Sequence, residues 1–251
     1  MNTHRGKSVL FPRRAGVYEP NRADRRLGDL ITYPVACTCE DHPDESLAIS
    51  RAHKSISDIL EATQANEYKI FLTGPNNFRK KINKEYKANR KDKPLPLYLN
   101  TLREYLVKEW NAQVTDGFEA DDALGIENEL HRANNDDVIV CSFDKDLDQL
   151  TGSHYNWNKA ILYQVSELEG IRHFYKQMLI GDRSDNIFGI KGIGTKRADD
   201  LLNHINTEPE MIDIVYPLYD SNERFEMNGD CLWILRKDKE FYTTRNSLYV
   251  R

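Results

Sequence analysis

The chain has 251 residues, with 35 Lys or Arg and 40 Asp or Glu, which gives a formal net charge of −5. This length suits one or two compact domains, and a hydrophobic fraction of 39% excludes a chain that is disordered throughout. No apolar run approaches the ~18–20 residues of a membrane span, and a net charge of −5, taken alone, argues against a nucleic-acid partner.

Compartment signals are also visible in the sequence. The first residues contain no apolar stretch typical of a signal peptide. The 4 cysteines lack the spacing of a disulfide framework, which favours a reducing environment. We therefore expect a cytoplasmic protein that does not bind a membrane.

Basic side chains dominate the start of the chain. Residues 1–26 hold seven Lys or Arg against two Asp or Glu, a net charge of +5, and their only apolar cluster is Val9, Leu10 and Phe11. Such a composition is more typical of a flexible basic segment than of a folded element. The sequence therefore predicts a basic N-terminal tail, without fixed structure, over residues 1–28.

Predicted strands alternate with predicted helices after this tail. Residues 30–36 predict a weak strand, interrupted by Pro34, and residues 68–73 predict a short apolar strand. Between them, Ser46 is expected to cap a helix. The apolar residues of this helix recur at helical spacing: Ile49, Ala52, Ile56 and Leu60. This alternation is typical of an α/β sheet with right-handed crossovers.

A second basic block covers residues 78–93, with eight Lys or Arg against two acids and a net charge of +6. Phe78 and Tyr86 lie among these charges. Solvated helix faces usually mix both signs, because like charges four residues apart repel. A block of one sign with aromatic residues therefore favours a surface that contacts phosphates. The next predicted helix is marked by Leu99, Leu102, Leu106 and Trp110.

Acidic side chains dominate residues 119–148, where ten Asp or Glu face two Lys or Arg and the net charge is −8. Carboxylates at this density repel one another, and a bound divalent cation would offset the repulsion. Residues 138–141 form an apolar run that predicts a central strand of a parallel sheet. Several acids are expected at the carboxyl edge of that sheet: Glu119, Asp121 and Asp122 at a helix start, and Asp144 and Asp146 after the strand.

A third acidic element contains Asp182 and Asp185, whose spacing fits either one helical turn or a simple polar turn. Closely spaced glycines follow over residues 189–194, and they let backbone N–H groups approach a phosphate. Thr195 is expected to cap the helix after them. This pattern is typical of a helix–hairpin–helix, which holds a duplex backbone without reading its sequence.

The order of these motifs resembles that of the 5′-nuclease family, which comprises phage 5′→3′ exonucleases, flap endonucleases and the 5′-nuclease domains of bacterial DNA polymerase I. The similar segments are residues 86–91, 119–122, 142–146, 181–186 and 189–194. The resemblance is good over residues 68–205. Several motifs in one order make it far more specific than any single motif.

The resemblance implies a PIN-like (Rossmann-like) α/β fold, in which a parallel sheet is flanked by helices and carries a helical arch and a helix–hairpin–helix. Residues 29–186 would form the nuclease core, with the basic arch near residues 78–98, and residues 187–251 would form the helix–hairpin–helix and C-terminal region. The implied function is a metal-dependent 5′→3′ exonuclease that removes flaps or RNA primers from DNA in phage-type replication. The protein would act as a monomer, in the host cytoplasm if a phage encodes it.

The resemblance also implies roles for individual residues. The residues expected to hold two Mg²⁺ or Mn²⁺ ions are Asp29, Glu119, Asp121, Asp122, Asp144, Asp146, Asp182 and Asp185. Lys87 and Arg90 are expected to orient the scissile phosphate and to stabilise charge on it. The residues expected to bind DNA are Arg79, Lys80, Lys81, Tyr86, Lys91, Gly189, Lys191, Gly192, Gly194, Thr195 and Lys196. A K⁺ ion is expected among the hairpin carbonyls.

The sequence departs from the family pattern at two acidic positions. The family begins with an apolar strand that ends in Asp-Gly-Asp, and the similar stretch here is residues 25–29, where Leu27 stands at the first Asp. Asp29 is the best nearby candidate for a metal ligand that replaces this first Asp. Another acid is expected after the strand at residues 68–73, where Gly74 stands instead. Because losing a metal ligand usually weakens metal binding and rate severely, a catalytically impaired DNA-binding protein of the same fold is the alternative function.

Two other interpretations are weaker. A toxin-type RNA endonuclease could share an acidic α/β core, but the hairpin and the basic arch argue against it. Cys37, Cys39 and His42 could contribute to a zinc site. A structural zinc site needs four ligands with matched spacing, however, and Cys141 and Cys231 are remote in sequence.

Overall fold

The computed structural model describes residues 8–11, 30–90 and 94–246. Its strands are Ser8–Phe11 (β1), Glu67–Leu72 (β2), Gln113–Val114 (β3), Val138–Cys141 (β4), Gly152–Asn156 (β5), Ile161–Val165 (β6), Gly181–Asp182 (β7) and Ile187–Phe188 (β8). Its α-helices are Thr32–Thr38 (α1), Glu45–Thr63 (α2), Arg79–Ile82 (α3), Leu99–Trp110 (α4), Ala120–Ala133 (α5), Glu167–Ile180 (α6), Thr195–Leu202 (α7), Glu208–Val215 (α8), Asn222–Leu232 (α9) and Tyr242–Asn246 (α10). Short 3₁₀-helices cover Ala88–Arg90, Lys145–Gln149 and Tyr216–Leu218.

The main sheet has the strand order β3-β2-β1-β4-β5-β6. Its neighbouring strands are parallel, except that β5 and β6 are antiparallel. The strands β7 and β8 form a separate antiparallel hairpin. The predicted α/β fold with a parallel sheet flanked by helices is therefore confirmed.

The strand β1 corrects the prediction that residues 1–28 form a tail. Residues 8–11 lie in the middle of the sheet, where Val9 is paired with Tyr68 of β2 on one side and with Ile139 of β4 on the other. A central strand has backbone groups bonded along both edges. Four residues can therefore be held in the sheet although the sequence around them is strongly basic.

Residues 25–29, which resemble the start of the family pattern with Leu27 at the first Asp position, lie outside the described residues, so this assignment stays a prediction. Residues 12–14, which follow β1 directly, read Pro-Arg-Arg, so no carboxylate comes immediately after the first strand. Asp29, the predicted substitute ligand, belongs to residues 12–29, which lie outside the described residues.

Two local expectations before β2 are wrong. The predicted strand at residues 30–36 is the helix α1, in which Pro34 occupies the first turn. Backbone N–H groups in a first turn have no intrahelical acceptor, so a proline does not interrupt the helix there. The cap of α2 is Asp44, whose carboxylate accepts a hydrogen bond from the backbone N–H of Ser46 at 2.9 Å. The predictions for α2, β2, α4 and β4 are confirmed.

Helices cover both faces of the main sheet. On one face α1, α2 and α4 pack on Ile70, Leu72 and Ile139, and on the other face α5 packs on Phe71 and Val140. Successive strand residues thus point to opposite faces, as the pleat requires. The helices α6–α10 form a further apolar cluster. Because both faces are covered, side chains that follow the strands gather at the carboxyl edge of the sheet.

None of the helices in the described ranges is long and apolar enough to cross a membrane.

Deleting residues 1–11 removes β1 and is expected to abolish cooperative unfolding, because β2 and β4 both lose the strand that lies between them. Deleting residues 1–7 is the matched control, since it keeps all of β1. Thermal unfolding followed by circular dichroism compares the two. A cooperative transition of the longer deletion at the melting temperature of the full chain would contradict the central position of β1.

Candidate active site

Acidic residues lie where β3 and β4 end, as the sequence predicts. Glu119 is the N-cap of α5, and Asp121 and Asp122 occupy the first turn of that helix. Asp144 follows β4 and caps the 3₁₀-helix Lys145–Gln149, since its carboxylate accepts the backbone N–H of Asp146 at 3.0 Å. Glu119, Asp121, Asp122 and Asp144 are all buried. Buried carboxylates need cations or hydrogen-bond donors, and the structure supplies them to Glu119, Asp122 and Asp144.

Asp122 forms a bidentate ion pair with Arg79 of α3. The two guanidinium nitrogens Nη1 and Nη2 donate to its carboxylate oxygens at 2.6 and 2.8 Å. The same carboxylate accepts the backbone N–H groups of Glu119 at 2.9 Å and Leu235 at 3.1 Å. With its side chain 0% exposed and four donors around it, Asp122 acts as an internal anchor in this arrangement, and its role as a metal ligand stays a prediction.

Arg79 is correspondingly buried, with 3% of its side chain exposed. Its remaining N–H groups donate to the carbonyls of Cys231 at 2.8 Å and Trp233 at 2.6 Å. Burial alone would lower the pKa of Arg79, but the charge and hydrogen bonds of Asp122 outweigh burial and hold that pKa above its ordinary value. The guanidinium is therefore engaged inside the protein and lies on no open surface, and the role of Arg79 in DNA binding stays a prediction.

A second buried cluster joins Glu119 to Asp185. The ammonium group of Lys87 donates to Glu119 and lies 3.4 Å from Asp185. The hydroxyl of Tyr86 lies 3.0 Å from Glu119 and 2.8 Å from Asp185. Arg90 donates to Asp185 at 2.6 Å. The structure thus brings the predicted catalytic pair, Lys87 and Arg90, together with two of the predicted acids.

Tyr86 and Lys87 are themselves buried, so neither lies on an open DNA-binding surface in this arrangement. The structure describes residues 78–90 and 94–98 of the predicted helical arch. Its described residues contain the four-residue helix α3 and the 3₁₀-helix Ala88–Arg90. Lys80 and Lys81 are exposed, and Lys91 lies outside the described residues.

Asp182 is the last residue of β7 and Asp185 lies in the turn that leads to β8, so the two do not share a helical turn. Asp182 accepts the backbone N–H of Ser184 at 2.7 Å, so the polar-turn alternative is the correct one. Asp146, in turn, accepts a hydrogen bond from the amide of Gln177 on α6 at 2.6 Å. Sequence reasoning missed Gln177, because a single glutamine on a helix carries no signal that it faces an acidic site.

Within the described ranges, no group of three or more His, Cys, Asp or Glu side chains is arranged to hold a metal ion. Basic side chains hold three of the predicted acids. Arg79 holds Asp122, while Lys87 and Arg90 hold Glu119 and Asp185. The side chains as arranged therefore do not form a metal centre, although their oxygen donors are of the kind that Mg²⁺ prefers. Cys37, Cys39 and His42 form no zinc site by the same criterion.

Gly74 cannot be replaced by an acid without moving the backbone. A Cβ atom added there would lie 2.0 Å from the carbonyl oxygen of Thr115. The close approach follows from the pairing of β2 with β3, in which Leu72 lies opposite Val114. This strand pair therefore leaves no room for a side chain at the position after β2 where an acid is expected.

Most residues at the tip of the hairpin at residues 189–194 are exposed to solvent. The predicted DNA-binding residues Lys191, Gly192, Gly194, Thr195 and Lys196 are all exposed. Gly192 has a φ of 82°, and a Cβ atom at Gly192 or Gly194 would meet nothing within 4 Å. The backbone of this hairpin is therefore accessible to a phosphate.

Other hairpin residues hold it in place. Ile193 is buried and fixes the hairpin to the core. Gly189 serves packing, since a Cβ atom there would lie 2.3 Å from the backbone of Ile180. The predicted cap Thr195 is the first residue of α7, and Gly194 is the N-cap.

The chain is similar to known nucleases in sequence. The family described as 5′-3′ exonuclease, N-terminal resolvase-like domain, matches residues 39–178. A 5′-3′ exonuclease of Mycoplasma pneumoniae is 34% identical over 180 residues, which cover 60% of this chain and 56% of that protein. DNA polymerase I of Caldicellulosiruptor bescii is 29% identical over 182 residues, which cover 63% of this chain and 21% of the polymerase. The chain thus spans little more than half of the exonuclease and a fifth of the polymerase.

Solved structures share the fold. A mutant of T5 5′-exonuclease superposes with a TM-score of 0.59 and 18% identity, over 93% of this chain and 88% of that one. T5 5′-exonuclease with bound zinc gives a TM-score of 0.58 and 18% identity, over 90% and 85% of the two chains. At this level of identity the likeness establishes the fold alone.

Replacing Gly74 by Asp is expected to lower the free energy of unfolding by ~3 kcal/mol, because the new side chain collides with the Thr115 carbonyl. The matched control is Gly194→Ala, whose added methyl group meets open space. Urea unfolding measures both variants. Equal stability of the Gly74→Asp variant and the native chain would contradict the steric explanation.

Proposed function

Because the chain belongs to the 5′-3′ exonuclease family with the N-terminal resolvase-like domain, matched over residues 39–178, we propose that it is a 5′→3′ exonuclease and flap endonuclease. Its substrate would be DNA with a 5′ end, a flap or an RNA primer, in phage-type replication. The observation that carries the proposal is the cluster at the carboxyl edge of the sheet, where Glu119 and Asp185 lie with Lys87 and Arg90. We further propose a cytoplasmic monomer.

A divalent cation, Mg²⁺ or Mn²⁺, is the proposed cofactor. The solved T5 5′-exonuclease with bound zinc supports this proposal. Asp121, Asp144 and Asp146, at the ends of β3 and β4, are the residues proposed to hold it. When bound, such a cation supplies an activated water and neutralises charge on a phosphate. The described side chains do not converge in groups of three, so the proposal requires the carboxylates to rearrange.

Lys87 and Arg90 have the charge and the position to hold the scissile phosphate. A guanidinium group binds phosphate in a fork of two hydrogen bonds, and an ammonium group acts as a compact point charge. In the structure both groups are engaged by Glu119 and Asp185. Phosphate binding therefore requires an exchange of partners, in which the two cations turn from carboxylate to phosphate oxygens.

The exposed hairpin is proposed to bind the phosphate backbone of the duplex at some distance from the bond that is cleaved. Lys191 and Lys196 provide charge, and the open backbone at Gly192 and Gly194 provides N–H groups. Contacts of this kind bind the phosphate backbone without reading bases. A K⁺ ion among the hairpin carbonyls remains part of the proposal.

A second candidate function is a catalytically impaired, structure-specific DNA-binding protein. Three observations favour it. No carboxylate follows β1 directly in the sequence, and Gly74 has no room for an acid. The carboxylate of Asp122 is engaged in an ion pair with Arg79. The exposed hairpin would be retained in either case.

Cleavage of 5′-labelled DNA distinguishes the two candidates. A flap, a nicked duplex and an RNA–DNA hybrid are incubated with Mg²⁺, and we expect 5′-terminal products that EDTA abolishes. Asp144→Ala is expected to lower the rate at least ~100-fold while duplex affinity is kept. Asp58→Ala is the matched control, because Asp58 lies on the exposed face of α2, paired with Lys54.

Three other results would each contradict part of the proposal. Tight duplex binding without cleavage, in Mg²⁺ and in Mn²⁺, would select the impaired DNA-binding protein. Cleavage that persists in EDTA would overturn metal dependence. A strong preference for structured RNA over DNA would instead point to an RNA endonuclease.

A further inference from the structure

Two glutamine side chains form a hydrogen-bonded chain that ends at Asp146. Gln149 is the last residue of the 3₁₀-helix Lys145–Gln149 and is 1% exposed, and Gln177 lies near the end of α6. The side-chain nitrogen Nε2 of Gln149 donates to Oε1 of Gln177 at 2.6 Å. The nitrogen Nε2 of Gln177 donates in turn to Oδ1 of Asp146 at 2.6 Å. Amide groups from the interior thus reach one of the acids proposed to hold the cation.

Backbone groups at the end of α9 fix the orientation of both amides. The carbonyl of Leu232 can only accept a hydrogen bond, and Nε2 of Gln149 donates to it at 2.8 Å. The backbone N–H of Ile234 can only donate, and it donates to Oε1 of Gln149 at 3.4 Å. Gln149 therefore presents an N–H group to Gln177, which must accept with its oxygen. The amide nitrogen of Gln177 is left to face Asp146, so the direction of that hydrogen bond follows from the network.

A glycine on α6 allows the two amides to meet. Gly170 is buried, and a Cβ atom there would lie 2.5 Å from the backbone oxygen of Gln149. Gly170 and Gln177 are seven residues apart, about two helical turns, so they lie on the same face of α6. Any side chain at position 170 would push this face away from the 3₁₀-helix. The close approach of α6 therefore lets Gln177 reach both Gln149 and Asp146.

The amide that binds Asp146 carries no charge, unlike the guanidinium that binds Asp122. Arg79 pairs a full positive charge with the Asp122 carboxylate. The amide of Gln177 orients Asp146 without cancelling the charge of that carboxylate. A charged carboxylate attracts a divalent cation, and hydrogen bonds of this kind orient the carboxylates that bind metal ions in proteins. A neutral donor therefore fits a carboxylate that holds a cation.

The backbone of residues 231–235 binds both Gln149 and the ion pair between Arg79 and Asp122. The helix α9 ends at Leu232, and the chain continues in an extended conformation. The groups that bind the ion pair are the carbonyls of Cys231 and Trp233 and the N–H of Leu235. The groups that bind Gln149 are those of the two residues between them, Leu232 and Ile234. This segment lies outside residues 39–178, which match the family, so the orientation of Asp146 depends on a part of the chain beyond that match.

We propose that Gln177 is a positioning residue for Asp146, oriented by Gln149 and by the backbone of residues 231–235, an inference that rests on the proposed function. Gln177 holds the carboxylate of Asp146 in one orientation for the cation. The rearrangement that cation binding requires then falls on Asp121 and Asp144. Gln177 acts through Asp146 and not on the substrate.

Removing the amide of Gln177 tests the proposal without cleavage. Gln177→Met keeps the size of the side chain and removes both hydrogen bonds, so we expect the affinity for Mn²⁺ to fall ~10-fold. Electron paramagnetic resonance of the free ion measures Mn²⁺ binding in the absence of DNA, and cooperative urea unfolding verifies the fold. The matched control is Gln164→Met, which removes an exposed amide that donates to Ser153 at 2.7 Å and is expected to keep Mn²⁺ affinity within ~2-fold. Equal Mn²⁺ affinity of Gln177→Met and the native chain would overturn the proposal.

A spectroscopic measurement on the native chain provides a second test that depends on no variant. The side-chain amide of Gln177 gives a ¹H–¹⁵N resonance, which is assigned through the carbons of the same side chain. Because this amide donates to Asp146, we expect its resonance to shift as Mg²⁺ binds, with the midpoint that calorimetry gives for Mg²⁺. The amide of Gln164 is the internal control, and its resonance is expected to stay in place. An unshifted Gln177 resonance at saturating Mg²⁺ would refute the positioning role.

Failure of the positioning role and failure of the proposed function are distinguishable. A protein that cleaves 5′-labelled flaps, but whose Mn²⁺ affinity is unchanged in Gln177→Met, refutes the positioning role alone. A protein that loses Mn²⁺ affinity in this variant but cleaves no DNA refutes the nuclease and keeps the positioning role. If both hold, Gln177→Met cleaves slowly at low Mn²⁺ and recovers the native rate at saturating Mn²⁺, with an unchanged KM for flap DNA.

Discussion

The ion pair between Arg79 and Asp122 is the interaction on which the rest of the site depends. It connects three parts of the chain, because Arg79 lies on α3, Asp122 lies on α5, and the guanidinium also donates to the carbonyls of Cys231 and Trp233 at the end of α9. Asp122 in turn accepts the backbone N–H of Glu119. A single buried pair thus fixes the start of α5, from which Glu119 and Asp121 project.

Glu119 and Asp185 are balanced in the same way. Lys87 and Arg90 come from the basic block at residues 78–93, and they neutralise Glu119 and Asp185 from the acidic segments. The net charge of −5 therefore says little about partners, since opposite charges are segregated in sequence and meet again in the fold. A buried carboxylate without such a cation would be costly, so this pairing is required for stability whether or not the site is catalytic.

Periodic apolar patterns predicted the fold well. The helices α2 and α4 and the strands β2 and β4 were readable because their apolar residues repeat at the spacing of the element. The strand β1 was not, because only four residues pair and their charged neighbours dominate the composition. The helix α1 was missed because Pro34 indicates an interruption in sequence, while its place in the first turn of a helix is harmless.

The sequence predicts which residues form the site, but it does not predict which residues they pair with. The acidic motifs and the hairpin glycines have characteristic spacings, so Glu119, Asp144 and Gly192 could be named in advance. No spacing reveals that Arg79 lies under the site and not on the DNA-facing surface, because its partner Asp122 is 43 residues away. The reason that Gly74 has no room for a side chain is similarly nonlocal, since the Thr115 carbonyl that excludes it follows β3, the strand paired with β2.

The central claim is that Arg79 and Asp122 form a structural anchor inside an acidic motif, and the unfolding free energy of Arg79→Met tests it most directly. Removing the guanidinium leaves Asp122 buried without its cation, so urea unfolding is expected to show a loss of ~3–5 kcal/mol. Lys54→Met, which removes only an exposed ion pair with Asp58, is expected to change the same quantity by less than ~1 kcal/mol. Similar small losses in both variants would contradict the account.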